Sequence, residues 1–231
     1  MQYKINIEEE KKEIAIKYKD LLKGTYQTLS DKDKKAIRKA FDYAVEAHSN
    51  QRRKTGEPYI YHTIAVAKIV AYEIGLGATS IIAALLHDVV EDTKFTLVDI
   101  QENFGETVAK IVDGLTKISN LNQDIDTSIQ AENFRKMLLT LNEDVRVILI
   151  KIADRYHNML TMDAMAPDKQ LKIASETLYI YAPLAHRLGL FNIKSELEDL
   201  GLKYTEPEVY DDILNKINES KEKQNEYINS F

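Results

Sequence analysis

The chain has 231 residues, a formal net charge of −6, 44% apolar side chains and no cysteine or tryptophan. The acidic balance excludes a broad nucleic-acid surface, which shows as a basic patch or stripe, and the lack of cysteine excludes disulfides and thiolate metal sites. No run of about 18 apolar residues is present to span a bilayer, and the charged start MQYKINIEEEKKE lacks the apolar stretch of a signal peptide, so the expected location is cytoplasmic, with no nucleic-acid or membrane partner.

Residues 5 to 22 alternate charged and apolar groups at helical spacing and stop at Gly24. Ser30 followed by Asp33 reads as a capping box opening a helix to His48, with Ala36, Ile37, Ala40, Phe41 and Ala44 on its apolar face. The loop NQRRKTGEP follows, and Pro58, whose fixed backbone angle suits a first helical turn, starts a helix that carries His62 and ends at Gly75. Ser80 to Thr93, SIIAALLHDVVEDT, is read as one helix. At about 100° per residue it puts His87, Asp88, Glu91 and Asp92 on one arc and Val89 and Val90 opposite. Thr96 caps a short helix to Phe104, and Gly105 separates it from Glu106 to Leu115.

Lys117 to Asp126 is polar and aperiodic and reads as a mobile loop that could order on binding. Helices are expected from Ile129 to Leu141, Asp144 to Met162, Pro167 to Leu188, Ile193 to Leu200 and Val209 to Tyr227, with no strand. The class is all-α, a bundle of about ten helices.

Two apolar runs each deliver carboxylates into a helix. Three carboxylates within two turns after Leu86, with no Lys or Arg interspersed, require a cation. In the second run, VRVILIKIADRYHNMLTM, Asp154 follows Ile148, Leu149, Ile150 and Ile152, and His157, Asn158 and Thr161 share its face. A carboxylate so placed is tolerated when paired; a salt bridge is the plain alternative, although Arg155, its sequence neighbour, does not face it on a helix. His62, His87, Asp88 and Asp154 form a mixed nitrogen and oxygen set that suits manganese, iron or zinc better than calcium.

Five stretches, HSNQRRKTGEPYIYH, ALLHDVVEDT, DGLTKI, KIADRYHNM and ETLYIYAPLAHRLG, resemble the hydrolase domain of the RelA/SpoT homologues, a branch of the HD phosphohydrolases, over about residues 30 to 215. The resemblance implies one Mn2+ on His62, His87, Asp88 and Asp154, hydrolytic roles for Glu91 and Asp92, and nucleotide contacts from Arg53, Lys54, Thr55, Asn158 and Thr161. The implied reaction removes the 3′-pyrophosphate of guanosine tetra- or pentaphosphate (ppGpp, pppGpp), the alarmones of the stringent response. Asn50, Thr63 and Leu160 stand where the family usually has glycine, proline and arginine. The alternatives are an HD hydrolase of another nucleotide and a non-catalytic alarmone-binding module. Residues 1–165 are expected to form the hydrolase domain, and 166–231 a helical extension able to contact a synthetase domain absent from this chain.

Overall fold

The computed structural model describes residues 6–24, 29–121 and 144–229, so the helix expected from Ile129 to Leu141 lies outside the described residues. Twelve α-helical segments fall among those described: α1 (Ile7–Lys23), α2 (Asp31–Ala47), α3 (Ile60–Tyr72), α4 (Ala78–Leu85), α5 (Val89–Asp92), α6 (Leu97–Phe104), α7 (Glu106–Leu121), α8 (Val145–Leu160), α9 (Pro167–Glu176), α10 (Ala182–Arg187), α11 (Phe191–Thr205) and α12 (Pro207–Asn229). No strand occurs among them beyond an isolated antiparallel bridge between Arg52 and Pro58, and the all-α expectation is met. The chain divides into two compact units, Met1–His157 and Asn158–Phe231, where the sequence reading divides it at 165.

The first unit is built around α4, whose Ile81, Ile82, Ala83, Ala84 and Leu85 are all buried. A helix apolar on every side belongs in a core, and α4 packs against α2, α3 and α7. The caps follow the sequence: Ser30 with Asp33 and Thr96 with Asp99 each form a capping box, satisfying donors that a helix N-terminus leaves unpaired. α1 joins by the Tyr18–Phe41 ring stack at 4.2 Å between centroids and by the Tyr61 hydroxyl, which donates to Glu13 Oε2 at 2.9 Å.

Two expected helices are interrupted. Ser80 to Thr93 is not one helix: α4 ends at Leu85, a turn carries Leu86, His87 and Asp88, and α5 begins at Val89. His87 Nδ1 donates to the Ala84 carbonyl at 2.8 Å, the acceptor that the backbone N–H of Asp88 would take in a continuous helix. The side chain thus competes with the helical ladder. The second interruption lies in the other unit, where a π turn at Thr177–Tyr181 separates α9 from α10. Pro183 stands just inside α10. It supplies no N–H and its ring crowds the carbonyl one turn back, and the wider π turn accommodates both.

The loop expected to start at Lys117 is in part helical as well, because α7 continues to Leu121. Thr116 supports that last stretch by donating its hydroxyl to the Val112 carbonyl at 3.0 Å, and Ile118 is buried. Residues 122–126 lie outside the described ones.

Candidate metal centre

The α4–α5 turn, the N-terminal part of α3 and the middle of α8 bring His87, His62 and Asp154 together. Each offers one ligand atom, and these atoms lie within 4.8 Å of one another. His62 Nε2 is 3.2 Å from Asp154 Oδ1 and 3.7 Å from Asp88 Oδ2, while His87 Nε2 is 2.8 Å from Asp88 Oδ2 and 3.8 Å from Asp154 Oδ1. All four side chains are buried.

The hydrogen bonds settle which nitrogens face inward. With Nδ1–H given to the Ala84 carbonyl, neutral His87 carries its lone pair on Nε2. That buried nitrogen has no hydrogen-bond partner among the described residues, although Asp88 Oδ2 stands 2.8 Å away. Two acceptors at this separation require positive charge between or beside them. Burial opposes a proton on His87, yet the Asp88 and Asp154 carboxylates outweigh it and hold the imidazole up at about 9. Burial likewise raises the two carboxyls, and the cations beside them, His87 at Asp88 and Lys151 at Asp154, bring both below the usual carboxylate range. A divalent cation satisfies the same requirement, and the two-imidazole, two-carboxylate donor set fits one.

The surroundings orient the ligands. His62 Nδ1 lies 2.8 Å from Nδ1 of His157, so a single proton serves the two, and its donation by His62 leaves Nε2 free for a cation. Burial, then His62 and Arg53, lower the His157 pKa to about 3, which keeps that ring neutral. The Tyr59 hydroxyl donates to Asp88 Oδ2 at 2.6 Å, and burial raises the phenol far above its ordinary value. Lys151, one turn before Asp154, donates to Asp154 Oδ2 at 2.7 Å and to Ser119 Oγ at 3.0 Å. Lys151 thus forms a salt bridge with Asp154 along this helix.

Glu91 and Asp92 stand exposed at the end of α5, one turn from the ligands. Desolvation still raises both carboxyls, Asp88 adding to it at Asp92 while the Ser119 hydroxyl offsets part of it at Glu91. Asp92 is also fixed through its backbone: Gln51 Nε2 donates to the Asp92 carbonyl at 2.6 Å.

Gln51 opens a hairpin that runs to Tyr59. Arg53 N donates to Glu57 O at 2.9 Å, Gly56 N to Arg53 O at 2.9 Å, and Tyr59 N to Gln51 O at 3.0 Å. The basic cluster splits here. Arg52 turns away to α1, where its two terminal nitrogens donate to both oxygens of Glu10 at 2.9 and 3.0 Å. Arg53 lies with its guanidinium carbon 6.0 Å from the Tyr59 ring centroid. Lys54 and Thr55 are exposed at the tip, the Thr55 hydroxyl donating to Glu57 Oε2 at 3.3 Å. Asn158 and Thr161 belong to the second unit, where the Thr161 hydroxyl donates to the Asn158 carbonyl at 3.4 Å.

Tyr59, Ser119 and Lys151 carry no role in the sequence reading. Lys151 had a usable signal, since a lysine three residues before a buried aspartate shares its helix face. Of the departures from the family pattern, Thr63 is buried and returns its hydroxyl to the Ile60 carbonyl at 3.1 Å, and Leu160 is 46% exposed.

A buried His, His-Asp and Asp constellation on two helices and the α4–α5 turn defines a metal-binding helical domain, and the sequence description of the HD domain matches residues 40–191. The chain belongs to the HD-domain family. It is 49% identical over 195 residues to the guanosine-3′,5′-bis(diphosphate) 3′-pyrophosphohydrolase of Aquifex aeolicus, covering 84% of this chain and 27% of that protein. It is 51% identical over 176 residues to the bifunctional (p)ppGpp synthase/hydrolase SpoT of Escherichia coli, covering 76% of this chain and 25% of the relative. The chain thus spans about a quarter of the length of these curated relatives. A solved structure, described as a metazoan ortholog of SpoT that hydrolyzes ppGpp, superposes with a TM-score of 0.54 at 25% identity, covering 74% of this chain and 94% of that one. Among the described residues no helix is long and apolar enough to cross a membrane.

Proposed function

We propose that this chain is a manganese-dependent hydrolase that removes the 3′-pyrophosphate of ppGpp and pppGpp, yielding GDP or GTP and pyrophosphate, within the stringent response. The observation that carries the reading is the Tyr59 side chain. Its hydroxyl holds Asp88 at 2.6 Å and its ring lies beside Arg53, so one residue ties the cation site to the basic hairpin. Hydrolysis of a polyanionic ester needs those two parts adjacent: cation chemistry for the scissile phosphate and fixed positive charge for the rest of the nucleotide.

His62, His87, Asp88 and Asp154 would hold the cation. When bound, a divalent cation supplies acidity to water and neutralises charge on phosphoryl oxygens. Glu91 and Asp92, with pKa values raised by desolvation, accept the proton of the attacking water or orient it. The Arg53 guanidinium and the Lys54 ammonium hold the polyanion, and the planar guanidinium is also suited to stacking on the base. Thr55, Asn158 and Thr161 complete the nucleotide contacts in this reading.

Residues 1–165 form the hydrolase domain in this proposal, and 166–231 lead toward a synthetase domain. The exposed Val209, Ile213, Leu214 and Ile217 on α12 support a role for that helix in contacting a further domain. The test is product identification: ppGpp, pppGpp and a panel of other nucleoside phosphates are incubated with Mn2+, and products are separated by anion exchange. GDP and pyrophosphate from ppGpp, with other nucleotides intact, are expected. Cleavage of a different nucleotide in preference would overturn the substrate assignment, and binding without turnover would favour an alarmone-binding module.

A further inference from the structure

Beside the cation site lies the ammonium of Lys151. It is 9% exposed, donates to Asp154 Oδ2 at 2.7 Å and to Ser119 Oγ at 3.0 Å, and leaves Asp154 Oδ1 as the oxygen facing His62 and His87. Ser119, on α7, accepts from the same ammonium. One buried cation therefore touches a ligand carboxylate directly and is held from a second helix.

We propose that Lys151 is a positioning residue that confines Asp154 to its inner oxygen while leaving the ligand shell one positive charge in excess. Its effect on turnover rests on the hydrolase reading. Within the shell, Asp88 and Asp154 neutralise a divalent cation, so the ammonium is the surplus. Surplus charge suits a polyanionic substrate. It also opposes the cation, since like charges a few ångströms apart in a buried site repel strongly. Lys151 thus trades affinity for metal against electrophilic character, and a residue present only to stabilise the fold makes no such trade.

The experiment titrates Mn2+ into chelated protein by calorimetry for the unmutated chain, Lys151→Met, Lys151→Gln and Ser119→Ala, with kcat and KM for ppGpp measured in parallel. Lys151→Gln keeps an uncharged donor to the same partners, so it carries the metal test if Lys151→Met does not fold. Both Lys151 variants are expected to bind Mn2+ at least about tenfold more tightly while kcat falls at least about tenfold. Ser119→Ala removes an acceptor of the ammonium but leaves its charge in place, so it should leave Mn2+ affinity within about twofold. Weaker or unchanged Mn2+ binding in both Lys151 variants would overturn the charge-setting task whatever the substrate proves to be. Absence of ppGpp turnover in the unmutated chain would count against the hydrolase reading alone, and the Mn2+ titration would still decide the charge-setting task.

Discussion

Arg52 and Glu10 are 42 positions apart, yet the guanidinium of one meets both carboxylate oxygens of the other, at 2.9 and 3.0 Å, with Glu10 8% exposed. Arg52 also donates to the Gly56 carbonyl at 2.8 Å, so the fork fastens α1 to the tip of the basic hairpin. Bidentate pairs of this kind fix geometry as well as charge. Glu10→Gln retains one acceptor and gives up the second ion-paired contact, at a cost of about 1–2 kcal/mol. The expected outcome is a KM for ppGpp raised several-fold with kcat nearly unchanged, measured by steady-state kinetics, because the hairpin carrying Arg53 and Lys54 loosens while the cation site does not.

Tyr59→Phe removes the 2.6 Å donor to Asp88 Oδ2 and leaves the ring in place. Unlike Lys151, Tyr59 orients its carboxylate without opposing a cation by charge. Losing an outer-shell partner of this sort weakens metal binding about tenfold or more. Calorimetric titration with Mn2+ checks it, and the contrast in sign with Lys151→Met separates orientation from charge.

Gly114 tests the seam between α7 and α8. A Cβ there would stand 2.9 Å from Val147 Cγ2 and 3.2 Å from Cγ1. Alanine favours a helix over glycine by about 1 kcal/mol, but overpacking against a stiff β-branched side chain costs about 1–3 kcal/mol. The clash wins, so Gly114→Ala lowers the unfolding midpoint. Val147→Ala in the same chain should recover part of the loss, a rescue that denaturant melts would reveal.

The second unit holds a pH-dependent contact of its own. Asp163 accepts from the Tyr204 hydroxyl at 2.6 Å and from Lys203 at 3.2 Å, and these donors lower its pKa. A carboxyl whose folded pKa is depressed contributes stability above its unfolded value, near 3.9, and loses it as pH falls through the folded value. The melting-temperature gap between the unmutated chain and Asp163→Asn should be constant above about pH 5 and close below about pH 4. A gap that stays open in acid would contradict the assignment.

Much of this arrangement is legible in the sequence because its signals are local. Ser30 with Asp33 and Thr96 with Asp99 announce helix starts, and an apolar run such as that before His87 announces burial. The turn at His87 is not legible, because it depends on a ring nitrogen competing for the Ala84 carbonyl, which helical periodicity does not encode. Ser119 was hidden for a related reason. The polar composition of Lys117 to Asp126 reads as loop, whereas packing of Ile118 keeps α7 helical to Leu121 and carries the Ser119 hydroxyl to Lys151. Arg52 shows the limit of charge patterns: three adjacent basic residues look alike in sequence, and only a buried Glu10 on a distant helix distinguishes the first of them.

The central claim is that one divalent cation, held by His62, His87, Asp88 and Asp154, is what makes this chain a hydrolase. Chelated protein is titrated with Mn2+ while ppGpp turnover and bound metal are followed together, beside an Asp154→Ala variant. The account predicts no turnover before metal, recovery that saturates at one Mn2+ per chain, and an inactive variant that no longer retains the ion. Turnover in excess chelator, or an Asp154→Ala variant that binds Mn2+ and turns over as the unmutated chain does, would contradict it.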